Sequence, residues 1–141
     1  MSVNSTTSDE LGDIPGQDSA ETGIVTVYNA IGGRPALVAA VNGLYARLLA
    51  DSDLSPFFPR GVSDRHRQYL VTILAEALGG PERYRGPDVA GTHRSLGISD
   101  ADFNGVASHL DAVLAELGVP RPLADRVIET VASFRGAVVS A

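Results

Sequence analysis

Apolar residues recur along most of the chain at spacings of three and four, the period of a helix with one buried face. From Pro35 onward, Leu37, Val41, Leu44, Tyr45 and Leu48 share such a face behind a proline suited to a first helical turn, and the stripe stops at Asp51-Ser52-Asp53. Ser63 is placed to cap a second long helix whose face reads Tyr69, Leu70, Ile73, Leu74, Ala77 and Leu78 before Gly79-Gly80-Pro81 ends it. Continued backwards by three and four residues, that face reaches His66. Between the two helices, Leu54-Ser55-Pro56-Phe57-Phe58-Pro59 is too interrupted by proline for regular structure, yet it carries two of the four Phe in the chain. Paired aromatics in a loop imply that something large packs there.

The stretch from Gly79 to Gly91 holds four Gly and two Pro and reads as a loop, with a short helix carrying Val89, His93 and Leu96 on one side before Gly97. Ser99 and Asp102 have the spacing of a capping box for a helix bearing Phe103, Val106, Leu110, Val113, Leu114 and Leu117, which Gly118 ends. After Pro120 and Pro122 a last helix shows Leu123, Val127, Val131 and Val138. No segment alternates with period two for long enough to propose a sheet. The fold class is therefore all-α, with four main helices and shorter pieces packed around a single core.

Composition narrows the chemistry chiefly by what is missing. The 141 residues contain no Cys, no Trp and no Lys, all eleven basic residues being Arg. Without Cys there are no thiolate zinc sites, iron–sulfur clusters, disulfides or covalent c-type haem attachment, and without Lys no Schiff-base chemistry and no P-loop lysine. Metal or proton chemistry near neutral pH falls to His66, His93 and His109, to the carboxylates and to Tyr. Of the net charge of −6, residues 1–22 carry −5 through Asp9, Glu10, Asp13, Asp18 and Glu21, which leaves −1 for residues 23–141. The acidic segment 1–22 is too poor in large apolar residues to offset its ordering entropy and is expected to be a disordered extension to a globular domain over 23–141. It lacks the features of a signal peptide, no apolar run approaches membrane-spanning length, and no basic stripe suits nucleic acid. A cytoplasmic protein acting on neither membranes nor nucleic acids is expected.

Read from spacing alone, His93 is either a core histidine bonded to a carbonyl or a ligand, and His66 shares that ambiguity. Their joint placement on apolar faces of different helices, near an aromatic loop, would suit a flat apolar cofactor bound through iron. Tyr45 lies on an inward stripe, where its hydroxyl needs a partner. His109 falls off the stripe of its helix and is expected to serve the scaffold. Pairs such as Asp51 with Asp53 sit at helix ends, where capping explains them, and the glycine pairs follow no strand and lack a phosphate-loop spacing.

The order Tyr28-Asn-Ala-Ile-Gly-Gly33, the Tyr45 stripe, Phe57-Phe58, Leu78-Gly-Gly-Pro-Glu82 with Tyr84, His93, Leu96-Gly-Ile-Ser-Asp-Ala-Asp-Phe103 and His109-Leu110 resembles the truncated haemoglobins, particularly their first group. The resemblance runs from about residue 26 to about residue 138. It implies a two-over-two helical sandwich around haem b, with His93 as the proximal iron ligand and Tyr45 as the distal tyrosine. Phe58, Phe103, Val106, Val127 and Val131, with Leu70, Leu74 and Tyr84, would contact the cofactor. A gapless match between Phe58 and Gly79 places His66 at the distal site, Leu70 where a Gln commonly assists the tyrosine, and Tyr69 where a basic residue often pairs with a haem propionate. The propionates would then call on Arg65, Arg67, Arg83 or Arg94, with Tyr69 beside them.

The function so implied is binding of O2, NO and CO at ferrous haem, with Tyr45 and His66 stabilising the bound ligand. Nitric oxide dioxygenase activity would follow if a separate reductase supplied electrons. Two further readings stay open. His66 could become a sixth iron ligand, giving a bis-His haem suited to electron transfer, redox sensing or nitrite reduction. Alternatively the chain is a helical interaction module without a cofactor.

Overall fold

The computed structural model describes residues 26–85, Val89, His93 and residues 96–140. The acidic extension expected over 1–22 and the propionate candidate Arg94 lie outside the described residues. Among the described residues all regular structure is helical, as the periodicity predicts.

The first helix, α1 (Val27–Ile31), is too short to show a stripe, and tertiary bonds hold it. The Tyr28 N–H donates to the Leu78 carbonyl at 3.0 Å, and the Tyr28 hydroxyl donates to Glu82 Oε2 at 3.1 Å. Arg34 Nη1 donates to the same carboxylate oxygen at 3.1 Å. Partial burial alone would raise the pKa of Glu82, but these bonds and its backbone hold it below the usual carboxylate value. At Gly32, with φ of 116°, the chain turns sharply through a conformation that other residues adopt only with strain, and α2 (Gly33–Ala50) begins.

A single 3₁₀ turn, Ser55–Phe57, interrupts the proline-rich loop. Then α3 (Asp64–Ala77) opens as expected at Ser63, whose hydroxyl accepts from the His66 N–H at 3.1 Å. The predicted capping box starts α4 (Asp100–Glu116): Ser99 and Asp102 exchange bonds of 3.1 Å in both directions. The last stripe divides into α5 (Arg121–Ala132) and α6 (Arg135–Val138). The break is local: the Ser133 hydroxyl bonds the Thr130 carbonyl at 2.5 Å, while the Phe134 N–H reaches back three residues to Val131 at 3.0 Å. Arg135 then bonds Asp100 at 2.8 Å and Asn104 at 2.5 Å and lies over the Phe103 ring at 4.6 Å, folding α6 against the start of α4.

Helix α2 packs on α3 within one layer and crosses α4, which pairs with α5 in the second. Leu37, Val41, Leu110, Val113, Leu114 and Val127 are completely buried where these layers meet. His109 bridges the layers from the side. Its Nδ1 accepts from Arg47 Nε at 3.2 Å and its Nε2–H donates to Asp51 at 2.7 Å, a bond that lowers the pKa of that aspartate. No helix among the described residues is long and apolar enough to cross a membrane.

The crossing of α2 over α4 is close enough to require glycine at one point. A Cβ on Gly43 would lie 2.8 Å from Val113 Cγ1, whereas one on Gly105, also in a helix, would meet the flexible end of Leu54 at 3.3 Å. Gly43→Ala is therefore expected to destabilise the protein by about 1–3 kcal/mol through overpacking against a β-branched side chain. Gly105→Ala should cost less, since the gain in helix propensity, up to about 1 kcal/mol, offsets its milder contact. Denaturant unfolding of both variants checks the order, and equal stabilities would refute the close-crossing account.

Candidate functional site

The two layers enclose a cavity of about 370 Å³, within the size range of small-molecule pockets. Leu44, Tyr45 and Leu48 reach it from α2, Phe57 and Phe58 from the loop, and His66, Tyr69, Leu70, Ile73 and Leu74 from α3. The rest of the described wall is Val89, His93, Leu96 and Ile98, then Asp102, Phe103, Val106 and Leu110 of α4, with Leu54, Val131, Phe134 and Val138. Asp102 is engaged in the capping box, so the polar groups left are two imidazoles and two phenols.

Val89 and His93 are both helical, one turn apart, and the His93 Nδ1–H donates to the Val89 carbonyl at 2.8 Å. That bond leaves Nε2 as the nitrogen able to coordinate. From the α2 and α3 side come Tyr45, only 4% exposed, and the half-buried His66. Tyr45, Phe58 and His66 pack mutually, with ring centroids 5.7 Å apart for Tyr45–Phe58, 5.3 Å for Tyr45–His66 and 5.9 Å for Phe58–His66. Neither the Tyr45 hydroxyl nor a ring nitrogen of His66 is bonded to another described residue. Burial raises the pKa of Tyr45, helped by the neighbouring Tyr69, so the group remains a phenol. Burial, then the proximity of His93, lowers the pKa of His66, which favours the neutral imidazole with one N–H.

Ten of the expected site residues thus stand on the cavity wall: Tyr45, Phe58, His66, Tyr69, Leu70, Leu74, His93, Phe103, Val106 and Val131. Three do not. Arg67 donates to Asn42 Oδ1 at 2.9 Å with its guanidinium 5.8 Å from the centre of the Tyr45 ring. Tyr84 packs behind Tyr69 at 5.3 Å, and Val127 is a core residue 1% exposed. Of the other propionate candidates, Arg65 is exposed and Arg83 bonds the carbonyls of Gly80 and Glu82 at 3.1 and 2.8 Å. Leu44, Leu48, Ile73 and Val138 join the wall from stripes already legible in the sequence. Phe134 joins from the helix break, which periodicity does not show.

No group of three or more His, Asp or Glu among the described residues could hold a bare metal ion. Iron carried in a porphyrin asks less of the chain, one imidazole and an apolar slot, and the cavity wall supplies His93 and a largely apolar lining. A helical sandwich with such a slot has the form of a globin.

Comparison with known proteins agrees. Residues 26–140 match the family of bacterial-like globins. The group 1 truncated hemoglobin GlbN of Mycolicibacterium paratuberculosis is 38% identical over 113 residues, covering 80% of this chain and 78% of its own length. That of Nostoc commune is 32% identical over 115 residues, covering 82% and 98%. Among solved structures, the Fe(III) truncated hemoglobin of Tetrahymena pyriformis superposes with a TM-score of 0.78 at 27% identity, covering 83% of this chain and all of that one. A Synechococcus 2/2 hemoglobin, solved in the cyanomet state with covalently attached heme, gives 0.76 at 28% identity, covering 82% and 98%. The chain belongs to the bacterial-like globin family, among its group 1 truncated haemoglobins. Its cofactor is haem with iron, and it binds diatomic ligands there.

Haem that binds the folded state alone raises stability by mass action. Apo-protein titrated with one equivalent of haem should acquire a Soret band and melt at a higher temperature. A protein that stays colourless, with its melting temperature unmoved, would instead support an interaction module without a cofactor.

Proposed function

We propose that His93 holds the haem iron through Nε2 and that Tyr45 and His66 are the donors that retain a bound ligand. The observation that carries this is that Tyr45 and His66, neither hydrogen-bonded through its side chain to a described residue, stand together on the wall of a cavity that His93 also faces. A phenol on an apolar wall without a protein partner gains a hydrogen bond when a ligand able to accept one enters. Haem held there would supply ferrous iron able to take O2, NO or CO as a ligand.

The chain's own residues do the rest. The Val89 carbonyl fixes the His93 ring and, by accepting from Nδ1–H, makes the other nitrogen more basic. Phe58, Leu70, Leu74, Phe103, Val106 and Val131 supply the apolar faces that exclude water from the slot. Tyr45 and His66 each present one N–H or O–H toward a ligand that draws electron density outward. Arg67, held by Asn42, braces the Tyr45 ring from behind. Nitric oxide dioxygenation is the further activity within this reading: NO, O2 and one electron give nitrate, the electron coming from a separate reductase. Action in the cytoplasm belongs to the same proposal and rests on the sequence alone.

Two variants test the assignments. His93→Ala should lose tight haem binding, seen as rapid transfer of haem to an acceptor protein, and retention of tight binding would remove His93 from its role. A hydrogen bond to a charged group contributes about 1.5–3 kcal/mol, so Tyr45→Phe should speed O2 release by about tenfold or more in stopped-flow measurements. An unchanged rate would remove Tyr45.

A further inference from the structure

We propose that the charge of Arg67, held over the Tyr45 ring by Asn42, strengthens the Tyr45 hydroxyl as a hydrogen-bond donor, so that a residue off the cavity wall sets how long O2 stays bound. This rests on the reading of Tyr45 as a donor to the ligand.

Helix geometry brings the three residues together. Asn42 and Tyr45 are three apart on α2 and share a face, and on α3 the residue after His66 is turned from it by about 100°. With His66 on the cavity wall, Arg67 is carried to the flank. There its Nη1 donates to Asn42 Oδ1 at 2.9 Å, and its guanidinium carbon lies 5.8 Å from the centre of the Tyr45 ring. That separation is within reach of the attraction between a cation and an aromatic face. Arg67 is off the cavity wall, so it reaches a ligand through Tyr45.

The partner of Arg67 leaves its charge uncancelled. Arg34, Arg47, Arg121 and Arg135 are each paired with a carboxylate. Arg67 is held by an amide instead, and among the described residues no carboxylate forms an ion pair with it. It therefore combines a fixed position with a full charge, half-buried beside a buried ring, and a guanidinium does not lose its proton in a protein. A cation over the ring draws density from the π system and so from the phenolic oxygen. The O–H then donates more strongly to a ligand atom that carries negative charge. Burial and then Tyr69 push the pKa of Tyr45 up, while Arg67 pulls against them, the direction expected of a group that loosens the phenolic proton. A side chain that only braced the ring would need its length and its bond to Asn42, but not its charge.

Haem-loaded full-length variants are compared by stopped-flow O2 release and by the C–O stretching frequency of the ferrous CO complex, which rises when the positive field at the ligand weakens. Arg67→Met keeps most of the side-chain length and removes the charge. It should quicken O2 release by about two- to fivefold, the scale of a cation at a partly exposed ring, and raise the C–O stretch. Arg67→Lys, which keeps the charge, should recover most of the wild-type behaviour. Asn42→Asp separates charge from bracing, because it grips Arg67 more firmly while supplying a counter-ion. Release should again quicken and the stretch rise, whereas a brace would leave both unchanged. In a Tyr45→Phe background, Arg67→Met should add nothing, since the hydroxyl it acts through is gone. Wild-type values in either Arg67→Met or Asn42→Asp, or an Arg67→Met effect undiminished in Tyr45→Phe, would overturn the proposal. Fast release in Tyr45→Phe beside wild-type release in Arg67→Met removes the role of Arg67 alone; unchanged release in Tyr45→Phe removes the donor role of Tyr45 and this role with it.

Discussion

An imidazole is held in one tautomer and one orientation toward a metal when the protein occupies its other nitrogen. Here the 2.8 Å bond from His93 Nδ1–H to the Val89 carbonyl does that within one helical turn. It fixes the tautomer, orients the ring and leaves Nε2 for the cavity. The rest of the architecture lines that cavity with apolar side chains. The break after α5 folds Phe134 and Val138 onto its wall, and the Ser140 N–H bonds the Ile98 carbonyl at 2.9 Å, tying the end of the chain to the start of α4.

The ligand side is built on a different economy. Tyr45 is a hub of ring contacts, with Phe58 and His66 at its edges and Arg67 beyond its ring, and these contacts position it without using its hydroxyl. A hydrogen bond from that hydroxyl to the protein would have satisfied it at the expense of the ligand. In the role proposed for Tyr45, packing gives orientation while hydrogen-bonding capacity is left for what enters.

Much of this was legible in the chain. His66 and His93 stand on apolar stripes, and Ser63 and the Ser99–Asp102 pair mark helix starts through capping that depends on a few adjacent residues. What escaped depends on depth and on contacts distant in sequence. A stripe shows which face turns inward but not what it meets, so Val127 and Val131 look alike although one is in the core and the other on the cavity wall. Arg67 reads as a free cation because its partner, Asn42, is on another helix, and α1 exists through bonds to Leu78 and Glu82 that no local pattern carries. The division of the last helix comes from a serine side chain bonding its own backbone, which leaves the apolar spacing intact.

The claim at the centre of this account is that His93 is the iron ligand the chain supplies, while His66 and Tyr45 act on the bound gas as donors. The visible spectrum of the reduced, ligand-free protein tests it most directly. A single broad high-spin band is the predicted result. Split low-spin bands would contradict it, by showing that His66 or another side chain occupies the sixth position that the account leaves open.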